Sequence, residues 1–387
     1  MRPKAVREAR SAQLLLFNGT IIAPDRALEH SVTVRNGAID GYGATAKDHD
    51  GPMLDLRGGV VRAGYIDLHC HGGGGAGVYS GDEDDVATTA ETHLRRGTTS
   101  MLASLTAAPT SALRAAAEAV ARSVASRRAP NIVGVHFEGP YLSRKRPGAQ
   151  PPDGLRDVEE GELEELIAAC AGLPVSMTIA PELPGAIAAI RRFAHRVRFF
   201  IGHTDATAAE FDVAVDAGAH GVTHLFNAMP PFHHREPGPV ARALLDPRVR
   251  SEIILDGHHM DDDAVRVALA VAGPRRLMLV TDAMAAAGMT DGDYSLPGLR
   301  ATVEDGAAYV SGTSTLAGST LTMDRAVQRL IELGSTPHEV SEMASGNAAE
   351  LMGWTDRGSL RIGARADFVV TDAVGKVRSV FLAGEPI

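Results

Sequence analysis

Lysine is nearly missing from this chain of 387 residues. Of its 38 basic residues only Lys4, Lys47, Lys145 and Lys376 are lysines, and arginine supplies the rest. Codon bias in a GC-rich genome, in keeping with the abundant alanine, accounts for the scarcity, yet it also removes lysine from most places where chemistry could use it. Cysteine is equally sparse: Cys70 and Cys170 are the only two. They imply no disulfide framework, which fits a reducing compartment. A positive balance is absent as well. The net charge of −10 disfavours a nucleic-acid backbone as partner, though it leaves room for a local basic pocket that takes one small phosphate. No apolar run approaches the ~20 residues of a membrane span. The start, Met1 to Arg10, is charged, and Leu14–Phe17 is too short for a signal sequence, so a cytoplasmic location away from membranes is the default expectation. Hydrophobic residues make up 44% of the chain, enough for a large soluble core.

What is present is a repeating texture. Residues 13 to about 60 read as short strands: Leu14–Phe17, an Asn18-Gly19 turn, Thr20–Ile22, then Ser31–Arg35 before an Asn36-Gly37 turn. Asp367–Asp372 and Val377–Leu382 repeat that texture at the other end. Between them strands alternate with helices. Eight short apolar runs each close on a polar residue, with helical stretches such as Thr110–Arg127 and Asp262–Ala272 in between. The expected fold is α/β: a (β/α)8 TIM-like barrel over residues 62–350, inserted in a small β-sandwich domain built from 1–61 and 351–387.

The polar closures carry the chemistry. Tyr65–Leu68 closes on His69-Cys70-His71, and the period of two in a strand puts both imidazoles on one side and Cys70 on the other. Ile132–Val135 closes on His136-Phe137-Glu138, Arg198–Gly202 on His203, Gly221–Thr223 on His224, and Leu277–Thr281 on Asp282. Each alone has a bland reading, a hydrogen-bonded histidine or a glutamate paired with arginine. At the C-terminal mouth of one barrel they suit a metal site, with Glu138 able to bridge two divalent cations and Asp282 able to move a proton at a metal-activated water. His136 lies one step deeper and reads as support.

These closures resemble the amidohydrolase superfamily. The longer stretches Gly64–Gly72, His136–Leu142, Gly202–Thr207, Thr223–Gly238, Asp256–His259 and Leu316–Ser319 are similar to the N-acetylglucosamine-6-phosphate deacetylase family across essentially the whole chain. The resemblance implies a cytoplasmic homodimer that hydrolyses an acetamide in amino-sugar catabolism and cell-wall sugar recycling. It implies one or two divalent metals, zinc or else iron, manganese or cobalt. Glu138, His203 and His224 would hold the metal found throughout the family; His69, His71, Glu138 and Asp282 would hold a second, with Asp282 as the catalytic acid–base. Ala149, Gln150, Asn227, Ala228, Arg235, His259 and Leu316 would meet the substrate, Arg235 binding its phosphate as a planar fork. Gln150 stands where some members carry a histidine, and it cannot carry charge. Relatives that bridge their metals through a carbamylated lysine near strand four are a poor match, because Val175–Ile179 and its surroundings hold no lysine. The alternatives are a deacetylase for another N-acetyl sugar phosphate, an aminoacylase-like enzyme, and a non-catalytic sugar-phosphate binder, for which Asp282 would serve no purpose.

Overall fold

The computed structural model describes residues 13–24 and 28–387. The charged start, Lys4 included, lies outside them. Eight parallel strands follow one another in space as they do in sequence: Tyr65–Cys70, Thr98–Thr106, Ile132–Glu138, Val175–Ile179, Val197–Ile201, Gly221–Val222, Arg250–Ile253 and Leu277–Leu279. The chain just past the eighth strand closes the ring on the first, where Cys70 pairs with Ala283 and the Asp282 N–H donates to the His69 carbonyl at 2.8 Å. These strands are buried on both faces, so they read as continuous apolar runs rather than as alternation. The sixth is short, and the Phe200 ring packs on it: a Cβ on Gly221 would stand 2.4 Å from that ring. The second is longer than the expected Thr98–Leu102, since residues 103–106 pair on with Val135–Glu138 and bring Ser104 and Thr106 to the mouth.

Helices cover the outside. Their starts follow local capping chemistry: Thr207 and Glu210 form a reciprocal capping box at Ala208–Ala217, and Asp261 caps Asp262–Ala272. Both ends of the chain build a separate β domain. Its eight strands form one hydrogen-bonded sheet in which Phe368–Thr371 pairs antiparallel with Val60–Ala63. Leu16, Ile21, Val32, Phe368 and Phe381 share its core.

Two elements differ from the sequence reading. Asn18-Gly19 is not a hairpin turn: Leu14–Ile22 is one strand, and both halves pair with the strand that begins at Leu28. Asn18 adopts φ 59° as a bulge between them. The same chemistry at Asn36-Gly37, with φ 53° and 74°, does turn the chain. Second, the segment after the eighth strand, left unread in the sequence, has structure of its own. Gly292–Leu296, Leu299–Glu304 and Ala307–Val310 form a three-stranded antiparallel sheet beside the mouth.

Candidate metal centre and pocket

The strand ends turn sharply as they leave the barrel. His203, His224 and Asp282 sit at φ 46°, 26° and 48°, a left-handed region that costs a non-glycine residue roughly 1–3 kcal/mol. The turns aim the side chains inward. Gly202, just before His203, lets Thr223 at the end of the next strand approach closely, since a Cβ there would lie 2.6 Å from it.

Two triads result, and Glu138 belongs to both. In one, Glu138 Oε1 lies 3.0 Å from His203 Nε2 and 3.1 Å from His224 Nε2. In the other, Glu138 Oε2 lies 3.2 Å from His71 Nε2, and Oε1 lies 3.4 Å from His69 Nε2. Asp282 Oδ1 is 3.4 Å from both His69 and His71. All six side chains are buried.

The donor set fits divalent cations for a reason visible in the tautomers. His69 Nδ1–H donates to Glu252 at 3.0 Å, His71 Nδ1–H to the Ser104 carbonyl at 2.9 Å, and His203 Nδ1–H to the Arg146 carbonyl at 3.0 Å. Each of these rings therefore turns an Nε2 lone pair toward the centre. His69 and His71 bring theirs to 3.0 Å of one another, and His203 Nε2 lies 3.1 Å from that of His224. Facing lone pairs repel unless a cation sits between them. Between His69 and His71 a proton can take that place. Burial pushes the His71 pKa down, but hydrogen bonds to Asp282 and Glu138 carry it up to about 9. Burial raises that of Asp282, and the His69 charge reverses this, to about 2.

His136 keeps both nitrogens occupied, at 3.0 Å from Ser104 Oγ and 2.9 Å from Thr178 Oγ1, so it supports its neighbours. Cys70 points away, its sulfur 3.2 Å from His93 Nε2. Lys145 pairs with Asp205 at the surface, at 3.0 Å.

Above the triads lies a cavity of about 290 Å³. Of the residues expected to meet a substrate, Ala149, Gln150, Asn227, Ala228, His259 and Leu316 line it. Gln150 is largely committed to the protein: its Nε2 donates to Glu138 Oε2, and its Oε1 accepts from the Ala107 N–H at 2.8 Å. His259 Nδ1 is held at 2.7 Å by Asp256 Oδ2. Burial lowers the His259 pKa and this carboxylate more than restores it, so the ring holds its proton above the usual range. Arg235 is not brought in. It stands exposed on the loop at 231–236, with Nη1 2.8 Å from His234 Nε2, and forms no ion pair with Glu236 or any other described carboxylate. Among the described residues, neither arginine nor lysine lines the cavity. Tyr79, Met284, Leu296 and Pro297 also line it, the last two on the inserted sheet that the sequence left unread. Glu252 escaped notice too, although a carboxylate inside the apolar run Ser251–Leu255 was a usable signal.

A barrel with histidines and carboxylates converging at its C-terminal mouth defines a metal-dependent hydrolase, and residues 60–387 match the amidohydrolase family. The chain belongs to that family. Its relatives narrow the class. An N-acetylgalactosamine-6-phosphate deacetylase of Escherichia coli O157:H7 is 36% identical over 365 residues, 92% of this chain and 94% of that one. An N-acetylglucosamine-6-phosphate deacetylase of Lysinibacillus sphaericus is 33% identical over 363 residues, 93% of this chain and 94% of its own. A solved variant of the N-acetyl-D-glucosamine-6-phosphate deacetylase of Mycobacterium smegmatis, in complex with N-acetyl-D-glucosamine-6-phosphate, superposes with TM-score 0.92. It is 36% identical and covers 97% of this chain and 99% of that chain.

Proposed function

We propose that this chain hydrolyses the acetamide of N-acetyl-D-glucosamine 6-phosphate to D-glucosamine 6-phosphate and acetate. The observation that carries the reading is the pair of triads sharing Glu138 at the floor of a sugar-sized cavity. Glu138, His203 and His224 would hold one divalent cation, and His69, His71, Glu138 and Asp282 a second. Such imidazole and carboxylate donors suit zinc, iron, manganese or cobalt. A cation held there supplies Lewis acidity that polarises the acyl oxygen and acidifies water.

The chain's own residues do the rest. Asp282 is ionised at neutral pH, so it is in the state that accepts the proton released as water adds to the acetyl carbon. As the C–N bond breaks, Asp282 returns that proton to the amine nitrogen. Gln150 holds Glu138 in place. Ala149, Asn227, Ala228 and Leu316 shape the cavity around the sugar, and protonated His259 offers a hydrogen bond from its free Nε2. The phosphate calls for an arginine or lysine, and among the described residues the cavity of one subunit has neither. Arg235, exposed and without an ion pair, would supply it to the cavity of a second subunit in a homodimer.

The 4-epimer is the second reading, because the galactosamine-type relative is as similar as the glucosamine-type ones. The test is acetate release from both epimers, with and without the 6-phosphate, and metal analysis of the same sample. At least one divalent metal per chain and fastest release from the phosphorylated glucosamine derivative are expected. Faster release from the galacto epimer would favour the second reading, and no release from any of them by metal-loaded protein would end both.

A further inference from the structure

Glu252 lies within the seventh barrel strand, Arg250–Ile253, and is 1% exposed. A carboxylate at such a depth is costly unless it is hydrogen-bonded. Here a single oxygen meets both triads. Oε2 accepts His69 Nδ1–H at 3.0 Å and the main-chain N–H of His224 at 3.2 Å. The Glu252 carbonyl also accepts from the Leu225 N–H at 2.8 Å, which ties the same turn a second time.

The four imidazoles are held unequally. His71 and His203 lean on neutral carbonyls, whereas His69 leans on a carboxylate. A carboxylate behind a ring raises its basicity as a ligand. His224 has no such tether behind its ring: among the described residues its Nδ1 is buried without a partner. Its orientation depends on a main chain forced to φ 26°, and Glu252 is what grips that N–H.

We infer that Glu252 is a positioning residue that sets one ligand in each metal position and so couples the two. The inference rests on the reading of the triads as metal sites. It predicts that the positions differ in how they depend on Glu252: through the charge at His69, and through hydrogen-bond geometry at His224.

The experiment measures zinc affinity by competition with a chelating indicator, on metal-stripped protein. The parent, Glu252→Gln and Glu252→Ala are each read alone and again with His69→Gln/His71→Asn, which leaves only the His203/His224 position. Loss of a supporting partner typically costs about 10–100-fold in metal affinity, and Glu252→Ala should lose that much at both positions. Glu252→Gln keeps an acceptor oxygen but no charge. It should lose about 10-fold where His69 ligates and stay near the parent in the His69→Gln/His71→Asn background. The melting temperature of the metal-free proteins is read alongside. A lowered melting temperature with unchanged affinities would make Glu252 merely structural and overturn the inference. So would a Glu252→Ala loss confined to the His69/His71 position. Should Glu252→Ala fail to fold, unchanged zinc affinity in Glu252→Gln decides against the inference by itself. A parent chain that binds no divalent ion would instead sink the metal reading on which it stands.

Discussion

At the floor of the cavity, four imidazoles and two carboxylates stand on strand ends, each within 3.4 Å of another. At its rim, the segment Pro231-Phe232-His233-His234-Arg235 stands in solvent. The floor side chains are buried, and protein acceptors fix the tautomers of His69, His71 and His203. Among the described residues, the guanidinium of Arg235 hydrogen-bonds only the His234 ring. On the proposed reading, one chain would build the site of bond cleavage by itself and leave the phosphate-binding side to be completed. Reactive groups must be held rigidly to be effective, and barrel strands provide that. A charge that reads one phosphate would tolerate an exposed mounting and would come from a second subunit.

The contrast can be broken most forcefully at the floor. Asp282→Asn should fold and bind substrate yet lose at least about 100-fold in turnover, as expected for a lost acid–base group. Steady-state kcat with metal-loaded protein reads this, and near-normal turnover would remove Asp282 from the mechanism.

The rim should respond in selectivity instead. A charge-assisted contact of roughly 1.5–3 kcal/mol corresponds to about a 10- to 150-fold preference for the phosphorylated sugar. Arg235→Ala should erase most of that preference in kcat/KM while metal content stays at the parent level. An equal loss on both sugars would confine Arg235 to holding its loop. Mixing Arg235→Ala chains with Asp282→Asn chains should restore some activity if the arginine acts across subunits, because each mixed dimer then holds one intact site.

The smallest effect lies between floor and rim, at the pair Asp256–His259. The carboxylate is what keeps the His259 proton above the usual range against burial. Asp256→Asn removes that support, so His259 should lose its proton at lower pH. The alkaline limb of the kcat/KM profile should move toward lower pH, and a ring titration followed by NMR should move with it. An unmoved profile would show that protonated His259 is not what the substrate meets.

How legible these regions were differs in the same way. The floor could be read because metal-ligand residues recur where apolar runs end, a pattern that needs no knowledge of loop paths. His136 was separable from the ligands by its place two residues before Glu138. Gln150 was not readable: only the fold shows that its amide is divided between Glu138 and the Ala107 N–H. Glu252 was hidden because a charged residue within an apolar strand has no local partner; His69 and His224 reach it from other strands. The inserted sheet at 292–310 was missed, although it supplies Leu296 and Pro297 to the cavity wall.

By itself the sequence determined the order of the barrel strands and which ligand-type residues stand at their ends, because these follow from local periodicity and side-chain chemistry. It could not distinguish Asn18-Gly19 from Asn36-Gly37, since a bulge and a hairpin turn ask for the same left-handed backbone. Only the tertiary structure decided which of them turned, which nitrogen of each histidine faces the centre, and that Glu138 serves both triads while Arg235 stays outside. Those outcomes depend on groups far apart in the chain competing for the same hydrogen bonds, and that competition is settled only when the barrel closes.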